Sequence, residues 1–453
     1  MNENWYFTAP WDPVPIRRGD ALGFRLIADH FADLIAPGLS NGTSDARWIA
    51  ILSWCLQWSG VAWRKAGGGD LSTRDGQKAR YAWLRPLELL WVARTLESGQ
   101  TTGQLRGKRG VQRWLDLKER KRPANFTMSA DQFRRYRQIG TYGVYRVALR
   151  SMPGLTTGDG WTLGDEGQKL AKLVNQNLPK SAQLEQEQFK STRWGSWSGN
   201  EARYWVENGW KDWNCKSSRQ FLPTPNEAIL ELLPNEECKI LRAAIFDKDS
   251  TRLKMAKIVA RAKNAKTHAE ICDALAENFP ATLASLPAFT RFADAAMDAM
   301  RAMWIQTNQN KDSQTTPIKT IAESMKSNRL EPLREAGAVW CEWLKRNQQS
   351  GFPKGHDVVT ALAKSLSKAK TPTDQIRALL LHHEEYGGGR RWFCIHDDKL
   401  EPLVADNGIS ASAYRFRLLP LVRLAAQCGV DDMRNAYDAI VSKDSGDEGA
   451  DDE

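Results

Sequence analysis

Absent from the chain is any run of eighteen or more consecutive apolar residues, so no membrane-spanning helix and no membrane partner are expected. The opening "MNENWYFTAPWDPVPIRRGD" does not show the basic-then-apolar layout of a secretion signal. Cysteine is sparse: seven residues, scattered singly, with no C-x-x-C pair and no regular spacing. That excludes a disulfide framework or a thiolate zinc module and points to a reducing compartment, with bacterial cytoplasm as the expected location. No Ser-His-Asp order, H-E-x-x-H or P-loop is found. These absences leave no catalytic residue and no cofactor to name.

Charge and tryptophan are plentiful by contrast. The formal charge is +10 with a pI near 9.2, although the final "DSGDEGADDE" carries six acids and no base. The remainder is therefore more basic than the total, which suits a polyanionic partner through general electrostatic attraction. Hydrophobic content of 42% and charged content of 26% are ordinary for a globular chain. Nineteen tryptophans imply large aromatic cores, and filling helical layers is a commoner use of indole than a stacking platform.

The fold class read from the pattern is mainly α, a multi-domain helical protein with a winged helix-turn-helix segment and a small C-terminal α+β hairpin region. Residues 1–126 form a Trp-rich helical region whose helices are marked by "ALGFRLIADHFADLIAPG", "SDARWIAILSWCLQWSGVAWRKAGGG" and "RYAWLRPLELLWVARTLESG". Ser44 or Asp45 would cap the second. Residues 179–225 read as a Trp/Gly/Ser-rich connection, and 226–381 as a helical domain. Residues 382–440 form an α+β element, in which "RRWFCIHDDKLEPLV" alternates around a His-Asp-Asp turn and signals a hairpin. Residues 441–453 are the acidic tail, expected to be disordered.

Residues 127–178 carry the sharpest functional clue. Ser129 to Gln132 looks like a capping box, Gly140 falls where a tight turn between helices belongs, and "TYGVYRVALRSM" supplies a second helix. Arg146 and Arg150, four apart, project from one helical face. "GLTTGDGWTL" then makes two short strands with a Gly-Asp-Gly tip before the helix "GDEGQKLAKLV". The segment resembles the winged helix of MarR-type regulators, whose wing strand ends in Leu-Thr-x-x-Gly. The matching residues are Leu163, Gly164 and Gly167, with Gly164 standing where the family carries Thr. The resemblance implies that the Arg146/Arg150 helix enters a major groove of double-stranded DNA while Arg134, Arg135 and Arg137 touch phosphates. Winged helices also serve as protein-binding modules, so a scaffold without DNA contact stands as an alternative.

"HHEEYGGGRRWFCIHDD" holds the other candidates. Arg390 and Arg391 beside Gly387–Gly389 suit a phosphate or carboxylate, and a simple helix stop explains the glycines equally. His382, His383 and His396 are weak metal candidates, the basis of a second alternative, a metal-dependent nuclease; adjacent histidines on a helix point about 100° apart and seldom chelate one ion. Four stretches, "FTAPWDPVPIRRGDALGFR", "DARWIAILSWCL", "RYAWLRPLELLW" and "HHEEYGGGRRWF", resemble uncharacterised proteins of bacterial anti-phage defence loci. That resemblance implies a non-catalytic subunit of a multi-protein complex, working with other protein subunits such as a helicase or nuclease.

Overall fold

The computed structural model describes residues 20–65, 67–97, 140–178, 183, 235–247, 250–309, 315–347, 352–387, 391–403 and 414–441. It is mostly helical, with one three-stranded sheet among the described residues. In chain order the elements are α1 (Arg25–Ile35), α2 (Ala46–Lys65), α3 (Arg74–Glu97), α4 (Thr141–Ser151), α5 (Asp165–Gln176), α6 (Asn235–Ile245) and α7 (Thr251–Arg261). There follow α8 (His268–Asn278), the single turn α9 (Pro280–Leu283), α10 (Leu286–Gln309), β1 (Thr316–Pro317) and α11 (Ile318–Met325). The chain ends with α12 (Glu331–Arg346), α13 (His356–Lys368), α14 (Pro372–Tyr386), β2 (Phe393–His396), β3 (Lys399–Pro402), α15 (Leu418–Gln427) and α16 (Arg434–Val441). Two compact units emerge, both discontinuous in sequence: Met1–Phe31 with His268–Arg415 and Val441–Glu453, and Ala32–Thr267 with Phe416–Ile440.

The second unit is built around α2. Every residue from Ala46 to Trp63 except Gln57 is buried, because a helix apolar on all sides has no face to offer water. α3 and α5 pack along it, with α4 and α6 completing the cover. Trp54 meets Trp91 edge-on at 6.0 Å, and its indole N–H donates to Asn175 Oδ1 at 3.2 Å. Asp45 caps α2 as expected, its Oδ1 accepting the Arg47 N–H at 3.0 Å. The Asp45 N–H donates to the Tyr145 hydroxyl at 2.9 Å. Burial pushes the Asp45 carboxyl up to about 7, opposed by the Arg47 N–H bond and the charges of Arg47 and Arg423. Two residues on, Arg47 makes a buried ion pair with Glu237 between α2 and α6, and Asn177 donates to the other Glu237 oxygen at 3.3 Å. α3 starts at Arg74, six residues before the apolar spacing suggests. Local turn chemistry explains this: Asp70 accepts the Ser72 N–H at 2.8 Å and Thr73 Oγ1 accepts the Gly76 N–H at 3.0 Å.

The first unit is a succession of packed helices. α8 lies on α10, α10 on α12, α12 on α13, and α14 on both α13 and α11. Phe289 of α10 is its aromatic hub, with ring contacts to Phe24 at 6.1 Å, Phe31 at 5.5 Å and Trp340 at 6.3 Å. The expected hairpin is present: β2 and β3 pair antiparallel from Phe393↔Pro402 to His396↔Lys399. Its turn places Asp397 and Asp398 at φ 47° and 60°, the left-handed region that Asp tolerates better than most residues. Leu400 and Lys399 also pair with Thr316 and Pro317 of β1. This strand interrupts the stretch 226–381 expected to be helical; two residues are too few to display a period.

Candidate nucleic-acid interface

Within the second unit the chain between α4 and α5 is a ribbon reduced to one bridge, Thr156↔Leu163, tightened by Thr157 N–H to the Thr162 carbonyl at 2.8 Å. Asp159 organises its tip. Its Oδ1 accepts the N–H groups of Trp161 at 2.7 Å and Thr162 at 3.0 Å, and its Oδ2 accepts the Thr162 hydroxyl at 3.0 Å. Burial works against that carboxylate, but these donors outweigh it and hold Asp159 below the usual range. Gly160, at φ +74°, lets the ribbon lie against α4: a Cβ there would stand 2.6 Å from Arg150 Cγ. At the ribbon's other end no side chain caps α5. The Gly154 carbonyl does so instead, accepting the N–H groups of Glu166 at 3.0 Å and Gly167 at 3.1 Å. Glycine at 164 follows from this, since a Cβ there would approach the Gly154 oxygen to 2.5 Å.

Around Trp161 gather Arg80, Arg146 and Arg150, with Arg64 beside Arg80. Arg80 of α3 lies over the indole with its Cζ 5.6 Å from the ring centroid, and Arg146 of α4 at 5.4 Å. Tyr142 packs on the same indole at 4.5 Å and donates its hydroxyl to the Gly160 carbonyl at 2.6 Å. Arg80 is only 2% exposed, held by Ser59 Oγ and the Leu56 carbonyl, both at 2.8 Å. Burial lowers its guanidinium to about 10, with Tyr142 and Asp159 opposing and Arg64 adding, so it stays charged at neutral pH. Arg64, exposed at the end of α2, is its neighbour: a Cβ on Gly60 would meet Arg80 Nη2 at 3.1 Å and Arg64 Nη1 at 3.4 Å. Arg146 Nη2 donates to Gln77 Oε1 at 3.1 Å, while its buried Nε has no hydrogen-bond partner. Arg150 is exposed, its stem along Gly160.

Of the residues singled out in sequence, Arg146 and Arg150 thus come together with the ribbon, whereas Arg134, Arg135, Arg137 and Arg390 lie outside the described residues. Arg391 belongs to the first unit, exposed and paired with Glu384 at 2.9 Å. His382 and His383 are buried. His382 Nε2 bonds the Leu22 carbonyl at 2.8 Å. His383 Nδ1 bonds the Ala21 carbonyl at 2.6 Å, and its Nε2 accepts the Trp392 N–H at 3.0 Å, which leaves no lone pair for a metal. Burial holds both rings below the ordinary histidine range. His396 sits on β2 beside Cys394 and Glu401. Among the described residues no three His, Cys, Asp or Glu side chains form a group able to hold a metal ion.

Arg64, Arg80 and Trp161 escaped the sequence reading because they come from three separate segments. The available signal was a lone arginine inside the apolar run "RYAWL", which on a buried helix requires partners. Of the described tryptophans only Trp83 and Trp343 are more than marginally exposed, so indole here fills layers. No protein-family model matches the chain, and no curated protein or solved structure is significantly similar to it.

Proposed function

We propose that the chain associates with DNA, without catalysing a reaction on it, by setting the arginine cluster of the second unit against the phosphodiester backbone. The observation that carries this is the gathering of Arg80, Arg146 and Arg150 about Trp161, with Arg64 beside Arg80 and the Asp159 carboxylate acting on Arg80. Arg64 and Arg150 reach solvent, and the +10 net charge favours approach to a polyanion. Trp63 and Trp161 are 7% and 4% exposed and engaged by Arg80, so they are closed to stacking bases. Contact through guanidinium and phosphate alone is sequence-independent and salt-sensitive.

The test is duplex binding across a salt series. Wild type is expected to lose affinity steeply as salt rises, and Arg146→Ala with Arg150→Ala to bind about tenfold more weakly at low salt with a slope smaller by about two. Arg64→Ala, at an exposed helix end, leaves packing alone and is expected to reduce the slope by about one. No duplex binding at low salt, or unaltered slopes in both variants, would overturn the reading.

A further inference from the structure

A second chemical feature lies in the first unit, on the hairpin of β2 and β3. In an antiparallel ladder, directly paired residues and residues two apart share a face. Cys394, His396, Lys399 and Glu401 therefore occupy one face, and Phe393, Ile395, Leu400 and Pro402 the other. Cys394 Sγ stands 3.2 Å from His396 Nε2, and Glu401 Oε2 lies 3.7 Å from the same nitrogen. The ribbon carrying them is pinned: Arg377 bonds Asp398 Oδ1 at 2.7 Å, Ile318 N–H donates to the Asp398 carbonyl at 3.0 Å, and Leu403 N–H to the Trp392 carbonyl at 2.8 Å. Solvent reaches the group, with the His396 side chain 63% exposed and Cys394 half-buried.

The chain supplies its own contrast. Cys272 also neighbours a histidine, with Sγ 4.0 Å from His268 Nε2, but it is fully buried and burial pushes its thiol up. Cys55 and Cys428 are buried as well. Among the described cysteines, Cys394 alone joins solvent access to an imidazole contact as short as 3.2 Å.

We propose that Cys394 is a peroxide-reactive thiol, a modification site at which His396 relays the proton. With Nε2 as acceptor, the imidazole takes the thiol proton as sulfur attacks one oxygen of hydrogen peroxide. The S–O bond forms as the O–O bond breaks; sulfur is oxidised by two electrons and the peroxide is reduced. The departing hydroxide collects the proton from Nε2 and leaves as water, and Cys394 becomes a sulfenic acid. Glu401 stabilises the imidazolium between the two transfers. Lys399, paired with His396 across the ribbon, is the other charged group on this face.

The experiment exposes the full chain to hydrogen peroxide with dimedone present and follows the adduct at each cysteine by peptide mass spectrometry. Adduct at Cys394 is expected at least about tenfold faster than at the half-buried Cys238 and Cys341, with none at Cys272. His396→Ala is expected to slow it about tenfold or more, and Glu401→Gln by a smaller factor. Equal wild-type rates at Cys394 and Cys341 would overturn the proposal whether or not any variant folds. An unchanged rate in His396→Ala with intact circular dichroism would do the same.

Discussion

The two units secure buried polar groups in opposite ways. In the first, neutral histidines do the holding: His382 and His383 bond the carbonyls of Leu22 and Ala21, and His383 also takes the Trp392 N–H. In the second, charge is taken inside and paired or stacked: Arg47 against Glu237, Arg80 against Ser59, the Leu56 carbonyl and Trp161. A neutral ring with both nitrogens satisfied costs little to bury, whereas a guanidinium needs several partners. The arginine-based unit accordingly retains cationic groups close to its surface, which the histidine-based lock does not.

Trp54→Ala is the most damaging of the single changes. Trp54 is 1% exposed and bridges α2, α3 and α5, so its loss is expected to cost about 3–5 kcal/mol, read by denaturant unfolding. Hydrogen exchange should rise first in α2, α3 and α5. A matched lesion in the first unit is His383→Ala, which strands the Ala21 carbonyl and the Trp392 N–H in a buried setting. It is expected to cost about 2–3 kcal/mol, with exchange rising in β2 and at the start of α1.

Smaller still is Gly164→Thr. It supplies a side chain able to act as N-cap, yet its Cβ would press on the Gly154 carbonyl that already caps α5. A net loss of about 1–2 kcal/mol in thermal unfolding is expected, whereas a gain would mean the side-chain cap outweighs the close approach.

A further effect is in pH dependence, and its sign differs between the units. Burial raises Asp45 from 3.8 to about 7, so its contribution to stability is full below about pH 4 and is lost as pH rises to about 7. Burial lowers His382 and His383 below 6.5, so their contribution is present above that value and is lost as pH falls through the folded-state value. Each contributes a slope of at most about 1.4 kcal/mol per pH unit. Melting curves between pH 4.5 and 8 are expected to show Asp45→Asn gaining on wild type as pH rises, since Asn keeps the acceptor for the Arg47 N–H without the charge. A parallel pair of curves would remove Asp45 from the comparison.

Much of this was legible along the chain. Periodicity marked α1, α2 and α10, the Ser44-Asp45 pair offered the cap that Asp45 makes, and alternation around Asp397 and Asp398 announced the hairpin, because each depends on neighbours a few residues away. Two-residue β1 has no period to read, and α3 begins inside a Gly-containing stretch whose turn bonds are side-chain matters. The histidines illustrate the limit best. Adjacent His382 and His383 offer ligand chemistry in sequence, and only the return of residues 20–24 to α14 gives their nitrogens to backbone carbonyls.

Composition and local pattern by themselves determined a helical, basic, tryptophan-filled protein, since propensity, capping and apolar spacing act over one or two turns. Tertiary structure alone decided which charges meet. Arg64, Arg80, Arg146 and Arg150 come from three different helices, and Cys394, His396 and Glu401 share a face only in the register of β2 on β3. Electrostatics and proton transfer depend on distances of a few ångströms, and those are set by packing.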